Sequence, residues 1–470
     1  MPILILSLLG YISCQIKQPE RDSVLDSTPH LEDSIYYHID SLPMLCEDLK
    51  MQGQMIDIGD CKLYCETKGE GTPIVLINGG PGGTHHCFHP WFKEAEKFSK
   101  IIYYDQRGCG LSDYIEGNGY NFRQAIDDLE KLRIKLNIDK WVLCGYSYGG
   151  ALAQYYTATY PERVKAMVLI GSSPLIDVPN GTRQYDYISK EESERIKEIY
   201  ALYREKKLNL FQLLYNKDLN GDWKRQNFYK PTKDVFIRKA LYEWKHDKNF
   251  NSKMGSSYSR YNMKNVFNNN PIPTLICEGK WDLTWVAEKA DIFRKNHPNA
   301  QFMMFEKSGH TIFSEEPELF FSTLQDFTEA LKPIPESEIA NWKEHAKNII
   351  KPQEDFFRRE DDYFKYIEKE GIDKAYILYT NYIKNNTDPL FSEKTMNNLG
   401  YSYLYAEEFE EAIKAFELNI KAYPDSYNVY DSLGEAYLKM GDKKNAKKYY
   451  KKSVELNPDN KDGIKALENL

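Results

Sequence analysis

Between residues 54 and 309, short apolar runs alternate with stretches of helical periodicity, and few folds accommodate that rhythm. The runs are QMIDIG, CKLYCETKG, PIVLING (73–79), IIYYDQRG (101–108), WVLCGYS (141–147), VKAMVLIGSS (164–173), TLICEG (274–279) and QFMMFEKSG (301–309). The first two read as an opening hairpin. PIVLING is continuously apolar and ends in glycines, as a buried parallel strand does. FRQAIDDLEKLRIKLNI (122–138) carries apolar residues at helical spacing. Strands alternating with helices imply an α/β fold, a parallel sheet with helices on both faces. Such sheets bind ligands beyond the C-terminal ends of their strands. From Pro174 to about Asn270 the strand pattern stops and only helical periodicity remains. This predicts a helical cap (about 175–270) over that edge, shaping a cavity and excluding water.

One strand ends in a pattern with chemical content. Gly145, Ser147 and Gly149 spell G-x-S-x-G, a strained strand–turn–helix elbow that lifts a serine hydroxyl above the sheet. A nucleophilic serine needs a base, and the base needs an orienting acid. Of nine histidines, His310 alone follows a late strand, in EKSGHTIF. His30 and His38 lie near the N-terminus; His85, His86 and His89 precede the serine; His246 falls in the cap, His297 before a proline and His345 beyond the sheet. The acid should end the preceding strand, and TLICEGKWDLTW offers Asp282, with Glu278 inside the strand as the weaker choice. Asp282 would hold the His310 tautomer and stabilise the imidazolium formed when Ser147 loses its proton. Cys144, three residues before the serine, is expected to pack within its strand. INGGPGGTHH (77–86) follows a strand and is dense in glycine. Its Pro81 has no N–H, leaving Gly80 as the natural oxyanion donor, with the N–H of Tyr148 as the second. No Gly-Lys-Ser/Thr follows, so the loop is not a Walker phosphate cradle.

These segments carry a family likeness. NGGPGG (78–83), YYDQRGCGLSD (104–113), GYSYGG (145–150), GKWD and GH together resemble the prolyl aminopeptidase (proline iminopeptidase) branch of the α/β hydrolases, over about residues 50–332. The Asp-Gln-Arg-Gly-Cys-Gly-x-Ser segment is the most specific part. The resemblance implies a Ser147–Asp282–His310 triad, with Gly80 and Tyr148 as oxyanion donors. Asn78 stands where the family normally has His, and Tyr148 where it typically has Trp. It also implies acidic residues facing the α-ammonium of the substrate, for which the cap offers Glu191, Glu192, Glu194, Glu198 and Glu243.

Past Pro333 and Pro335 a second period appears. Gly400 and Gly434, Tyr403 and Tyr437, Ala412 and Ala446, and Pro424 and Pro458 are each 34 residues apart, and Phe416 is matched by Tyr450. This resembles the tetratricopeptide repeat. A lone repeat cannot bury its apolar face, so a degenerate helical pair is expected around 356–386. The repeats offer a surface for a protein or peptide partner.

Length and composition bound what remains. A chain of 470 residues exceeds one ordinary core. Its net charge of −8, without a basic run, excludes a nucleic-acid partner. Eight scattered cysteines form no disulfide framework, and no metal or organic cofactor is implied. The uncharged PILILSLLGYIS (2–13) before Cys14 has the length of a signal h-region and resembles a lipoprotein signal, although no Lys or Arg precedes it. The expected organisation is a signal segment over 1–14, a tether over 15–49, the hydrolase domain over 50–332 and a helical repeat domain over 340–470. Lipidation of Cys14 would make the chain an exported, membrane-anchored protein; without a signal it would be cytoplasmic. The function expected is a serine hydrolase releasing N-terminal residues, proline preferred, from short peptides. An esterase, lactonase or amidase acting on a small amide or ester with the same triad is the alternative. A repeat scaffold with an inactive hydrolase fold is the other.

Overall fold

The computed structural model describes residues 53–115, 119–176, 190–208, 212–213, 216–217, 246–282 and 287–470. The chain divides into two compact units, one ending at Ile349 and one running from Ile350 to Leu470.

The first unit is built on one eight-stranded sheet of order β1-β2-β4-β3-β5-β6-β7-β8. Its strands are β1 (Gln54–Asp57), β2 (Lys62–Lys68), β3 (Thr72–Ile77), β4 (Ser99–Tyr104), β5 (Trp141–Tyr146), β6 (Val164–Ile170), β7 (Thr274–Gly279) and β8 (Gln301–Phe305). The hairpin β1–β2 joins antiparallel to β4, and every other pairing is parallel. All eight apolar runs of the sequence become these strands. β5 and β7 are buried at every position, because helices cover both faces of a central parallel strand. β1 is short and mostly exposed, in keeping with an edge.

Strand order decides where the site lies. β3 pairs with β4 on one side and with β5 on the other, Ile77 opposite Gly145. The chain therefore leaves β3 and β5 in diverging directions, and the loops after these two strands begin side by side at the switch point. β6, β7 and β8 follow in order, so the ends of β5 to β8 share one edge.

Helix α1 (Phe122–Lys135) is capped by Asn121, whose side chain accepts from the Gln124 N–H at 2.9 Å. Helix α2 (Tyr148–Thr159) begins directly at the elbow. Of the expected cap, helices α3 (Lys190–Arg204) and α4 (Phe250–Tyr258) are described. α5 (Ala287–Asn296), α6 (Ile312–Glu315) and α7 (Pro317–Glu329) complete the layers around the sheet. The core beneath includes Phe88, Phe92, Phe313, Phe320 and Phe321 in largely edge-to-face array. Each such ring contributes about 2–3 kcal/mol relative to exposure.

The domain boundary expected between 332 and 340 lies further on. Helix α8 (Glu336–Glu370) starts right after the Pro-x-Pro stretch, and its first turns belong to the first unit. Trp342 is buried and its indole N–H donates to the Val266 carbonyl at 2.9 Å, while Lys343 pairs with Glu162 at 2.9 Å. The prolines mark a change of direction rather than the end of packing.

In the second unit α9 (Ile372–Tyr382) precedes two helical hairpins: α10 (Glu393–Tyr405) with α11 (Phe409–Ala422), and α12 (Tyr427–Met440) with α13 (Lys443–Leu456); α14 (Lys461–Glu468) closes the chain. A β-carbon on Gly400 would lie 2.4 Å from the Phe416 ring, and one on Gly434 would lie 3.0 Å from the Tyr450 ring. The 34-residue period is thus a repeated close contact, with an aromatic face laid on a helix backbone. Tyr363, Ile367, Ala375 and Tyr379, from the degenerate pair, cover Met396, Ala415 and Leu418 of the first hairpin.

Candidate active site

Every residue from Trp141 to Ala158 is buried except Ser147. The elbow achieves this by backbone strain. Ser147 sits at φ 54°, ψ −119°, a conformation costing a side-chain-bearing residue about 1–3 kcal/mol. Several hydrogen bonds hold it. Its N–H donates to the Ile170 carbonyl at 2.8 Å, and its carbonyl accepts from the Gly150 N–H and the Ser172 hydroxyl, both at 3.0 Å. The flanking glycines are required by space. A β-carbon on Gly145 would meet the Gly149 carbonyl at 2.4 Å, and one on Gly149 would meet the Ile77 carbonyl at 2.1 Å.

His310 and Asp282 come together after β8 and β7. Nδ1 of His310 lies 2.6 Å from Oδ2 of Asp282, and both residues are buried. Their loops are laced backbone to backbone: Lys280 N–H to Phe305 C=O and Trp281 N–H to Ser308 C=O, both at 3.0 Å. A β-carbon on Gly279 would stand 2.0 Å from the Gly309 carbonyl, so these loops can approach only at glycine. Glu278, the weaker acidic candidate, is buried within β7, and the carboxylate on His310 is that of Asp282. The imidazole also lies against Gly171 and 5.1 Å, ring to ring, from Tyr146, the residue before the serine.

The glycine loop after β3 lies against the elbow, since a β-carbon on Gly79 would be 3.2 Å from that of Ser147. The loop is closed by Gly83 N–H to Gly79 C=O at 3.1 Å. Asn78 Nδ2, buried, donates to the Gly83 carbonyl at 2.5 Å and is itself held through Oδ1 by Gln106 at 3.3 Å. Gly80 follows Gly79 at φ 134°. Tyr148 is the first residue of α2, so its N–H is among those a helix leaves without an internal acceptor. The N-terminal end of α2 favours negative charge at this point.

The Asp-Gln-Arg segment is structural. Asp105 Oδ1 accepts from the His85 N–H at 2.8 Å, and Oδ2 accepts from the Leu111 N–H at 2.8 Å. Burial pushes its carboxyl up, but the charge and hydrogen bond of His85 outweigh that and hold it below the usual range. Arg107 donates to Asp128 of α1 through Nε at 2.7 Å and Nη2 at 2.8 Å, and to Asp60 of the β1–β2 turn at 2.8 Å.

Several contributors had no sequence signal. Glu315 accepts from the Gly309 N–H at 2.7 Å, and Glu316 from the Lys307 N–H at 2.9 Å and the Ser308 hydroxyl at 2.7 Å, so two carboxylates brace the His310 loop. Tyr258 of α4 meets Tyr148 edge-on at 5.4 Å, bringing cap to elbow. At Gly82 an added β-carbon would touch His246 and Asn251. Of the acidic residues considered for an α-ammonium, Glu191, Glu194 and Glu198 are exposed on α3, while Glu243 and the Glu192 side chain lie outside the described residues. Cys61, Cys65, Cys87, Cys109, Cys144 and Cys277 are buried free thiols.

A strained serine at the switch point, a buried His–Asp pair on the same sheet edge and a glycine loop against the serine define a class of fold and site. A family model described as the alpha/beta hydrolase fold matches residues 72–317, over half of the chain, and the chain belongs to that family. Curated relatives align with the same part of the chain. A proline iminopeptidase of Saccharolobus solfataricus is 28% identical over 275 residues, covering 57% of this chain and 87% of that protein. One of Lactobacillus delbrueckii subsp. bulgaricus is 29% identical over 301 residues, covering 59% and 98%. A solved esterase of Exiguobacterium antarcticum aligns with 59% of this chain and 100% of its own, at 23% identity and a TM-score of 0.47. Tetratricopeptide repeat models match residues 393–426 and 427–460.

Proposed function

We propose that this α/β hydrolase is a serine aminopeptidase that releases N-terminal residues, proline preferred, from short peptides. Ser147 Oγ attacks the scissile carbonyl while His310 Nε2 takes its proton. Asp282 holds the other ring nitrogen and stabilises the imidazolium. The N–H groups of Gly80 and Tyr148 receive the oxyanion, each worth about 10²–10³ in rate. His310 then protonates the leaving amine, and water, activated by the same imidazole, hydrolyses the acyl-enzyme. The observation that carries the reading is the 2.6 Å contact of His310 with Asp282 on the sheet edge that carries Ser147. The proline iminopeptidase relatives support the peptide substrate.

The test is a panel of free and N-acetylated aminoacyl amides beside simple p-nitrophenyl esters. Free prolyl amide should be turned over fastest. N-acetylation should cut kcat/KM by at least about a hundredfold, the effect of losing one buried charge pair. Ser147→Ala should lower all hydrolysis by at least about 10⁴-fold. Equal turnover of blocked and free amides would favour the esterase or amidase reading, which the departures at Asn78 and Tyr148 support.

Export is part of the proposal, resting on the apolar segment before Cys14, which lies outside the described residues. Full-length protein should partition into detergent and the Cys14→Ala variant should not; equal partitioning of the two would remove the anchor.

A further inference from the structure

Immediately after the glycine loop the chain reads THHCFH, and the first and last of these histidines are four residues apart. The turn Thr84–Pro90 presents both to Glu66 of β2. His85 Nε2 lies 3.6 Å from Glu66 Oε1, and His89 Nε2 lies 3.5 Å from Glu66 Oε2. One donor atom from each of the three residues falls within 4.8 Å of the others. Around a tetrahedral zinc ion with ligands at 2.0–2.1 Å, neighbouring ligand atoms stand about 3.4 Å apart. Both Glu–His separations are close to that edge, one to each carboxylate oxygen.

The surroundings orient each donor. Asp105 Oδ1 is 2.9 Å from His85 Nδ1; with the proton held there, the Nε2 lone pair faces Glu66. The Tyr64 hydroxyl donates to Glu66 Oε1 at 2.7 Å and turns the carboxylate. The His89 ring is stacked on Tyr103 at 4.2 Å. All three candidate ligands are buried.

Charge points the same way. Glu66 and Asp105 are buried carboxylates, and among the described residues neither is paired with a lysine or arginine. Arg107, two residues beyond Asp105, is committed to Asp128 and Asp60. Two buried anions facing imidazoles need compensating positive charge, from protonated rings or from one divalent cation; the Glu–His separations of 3.5–3.6 Å, longer than a direct hydrogen bond, favour the cation.

We propose that Glu66, His85 and His89 bind one divalent transition-metal ion of the zinc class, a structural staple tying β2 to the turn that leaves the glycine loop. The ion shares no residue with Ser147, His310 and Asp282 and takes no part in their chemistry. A water completes the tetrahedron. The site was invisible to spacing rules because Glu66 is nineteen positions before His85 and reaches it only across the sheet.

Untagged full-length protein should be treated with a chelator, exchanged into metal-free buffer and titrated with zinc. The expected result is about one zinc per chain by elemental analysis. The melting temperature should rise by about 5 °C at a hundredfold excess over Kd. Cobalt(II) added to the same apo protein should show the intense visible bands of a tetrahedral site. His89→Ala, at the rim of the cluster, should weaken zinc binding at least tenfold, and Glu66→Gln should do the same. The cobalt spectrum needs no variant and so stands even if a substitution fails to fold. Less than about a tenth of a zinc per chain with no tetrahedral cobalt bands would overturn the proposal. In that case a protonated His85 bridges Asp105 and Glu66 instead. Zinc retained equally by wild type and both folded variants would also overturn it, because the ion would then be held elsewhere.

Discussion

Single atoms set the tolerances of the elbow. The β-carbon absent from Gly149 is what lets α2 start against the end of β3, since there it would stand 2.1 Å from the Ile77 carbonyl. That neighbour is backbone of a central strand and cannot swing aside. Gly149→Ala should therefore cost about 3 kcal/mol of stability, at the upper end of overpacking. It should also depress turnover more than substrate binding, because the Ser147 backbone is built on the same turn. The urea midpoint and the split between kcat and KM measure both effects. An alanine variant as stable and active as wild type would mean that the turn relaxes without moving the serine. Ser147, Gly145 and Gly149 were legible from sequence because an elbow is a local device, each residue acting within five positions. Gly171, against which His310 rests, was not, because nothing within its own strand marks it.

At the scale of elements, one arginine joins three pieces. Arg107, in the turn after β4, grips Asp128 on α1 and Asp60 in the β1–β2 turn, and Lys131 of α1 reaches Asp60 at 3.1 Å. The Arg107 hydrogen bond, opposed by burial and helped by Lys131, lowers the Asp60 carboxyl from 3.8 to about 2. A carboxylate with a depressed folded pKa contributes stability that is present above about pH 4 and is lost as pH falls towards 2. Asp60 is about half exposed, so solvent screening limits the term to about 1 kcal/mol or less. Asp60→Asn should be less stable than wild type at pH 6, and the gap should narrow at pH 3. All seven tryptophans precede residue 350, so the urea midpoint followed by tryptophan fluorescence reports the first unit alone. A gap that stays constant with pH would show that the clamp contributes nothing through charge.

For the whole molecule, each named site residue lies before residue 350, and the boundary falls inside helix α8. Removing residues 350–470 should leave turnover of a small amide within about twofold. Removing 340–470 also takes away Trp342, its bond to Val266 and the Lys343–Glu162 pair, and should lower the melting temperature by several degrees. Comparing the two truncations, both soluble, separates the helical repeats from the brace. Equal stability would place no weight on Trp342, and lost activity in the shorter deletion would tie the repeats to catalysis.

The sequence by itself determined which segments became strands, where the elbow falls, and the phase of the repeats. Each of those is written in residues close along the chain or at a fixed period: continuous apolar runs, a five-residue motif and a 34-residue repeat. It also placed Asp282 and His310, because α/β order puts consecutive strand ends on one edge. Only the tertiary structure decided that Glu66 faces His85 and His89, that Glu315 and Glu316 brace the His310 loop, and that Trp342 belongs with the sheet rather than with the repeats. The first of these contacts depends on the strand order 1-2-4-3-5-6-7-8, in which β4 lies between β2 and β3. No local pattern encodes that crossing; it is settled when the sheet buries both its faces at once.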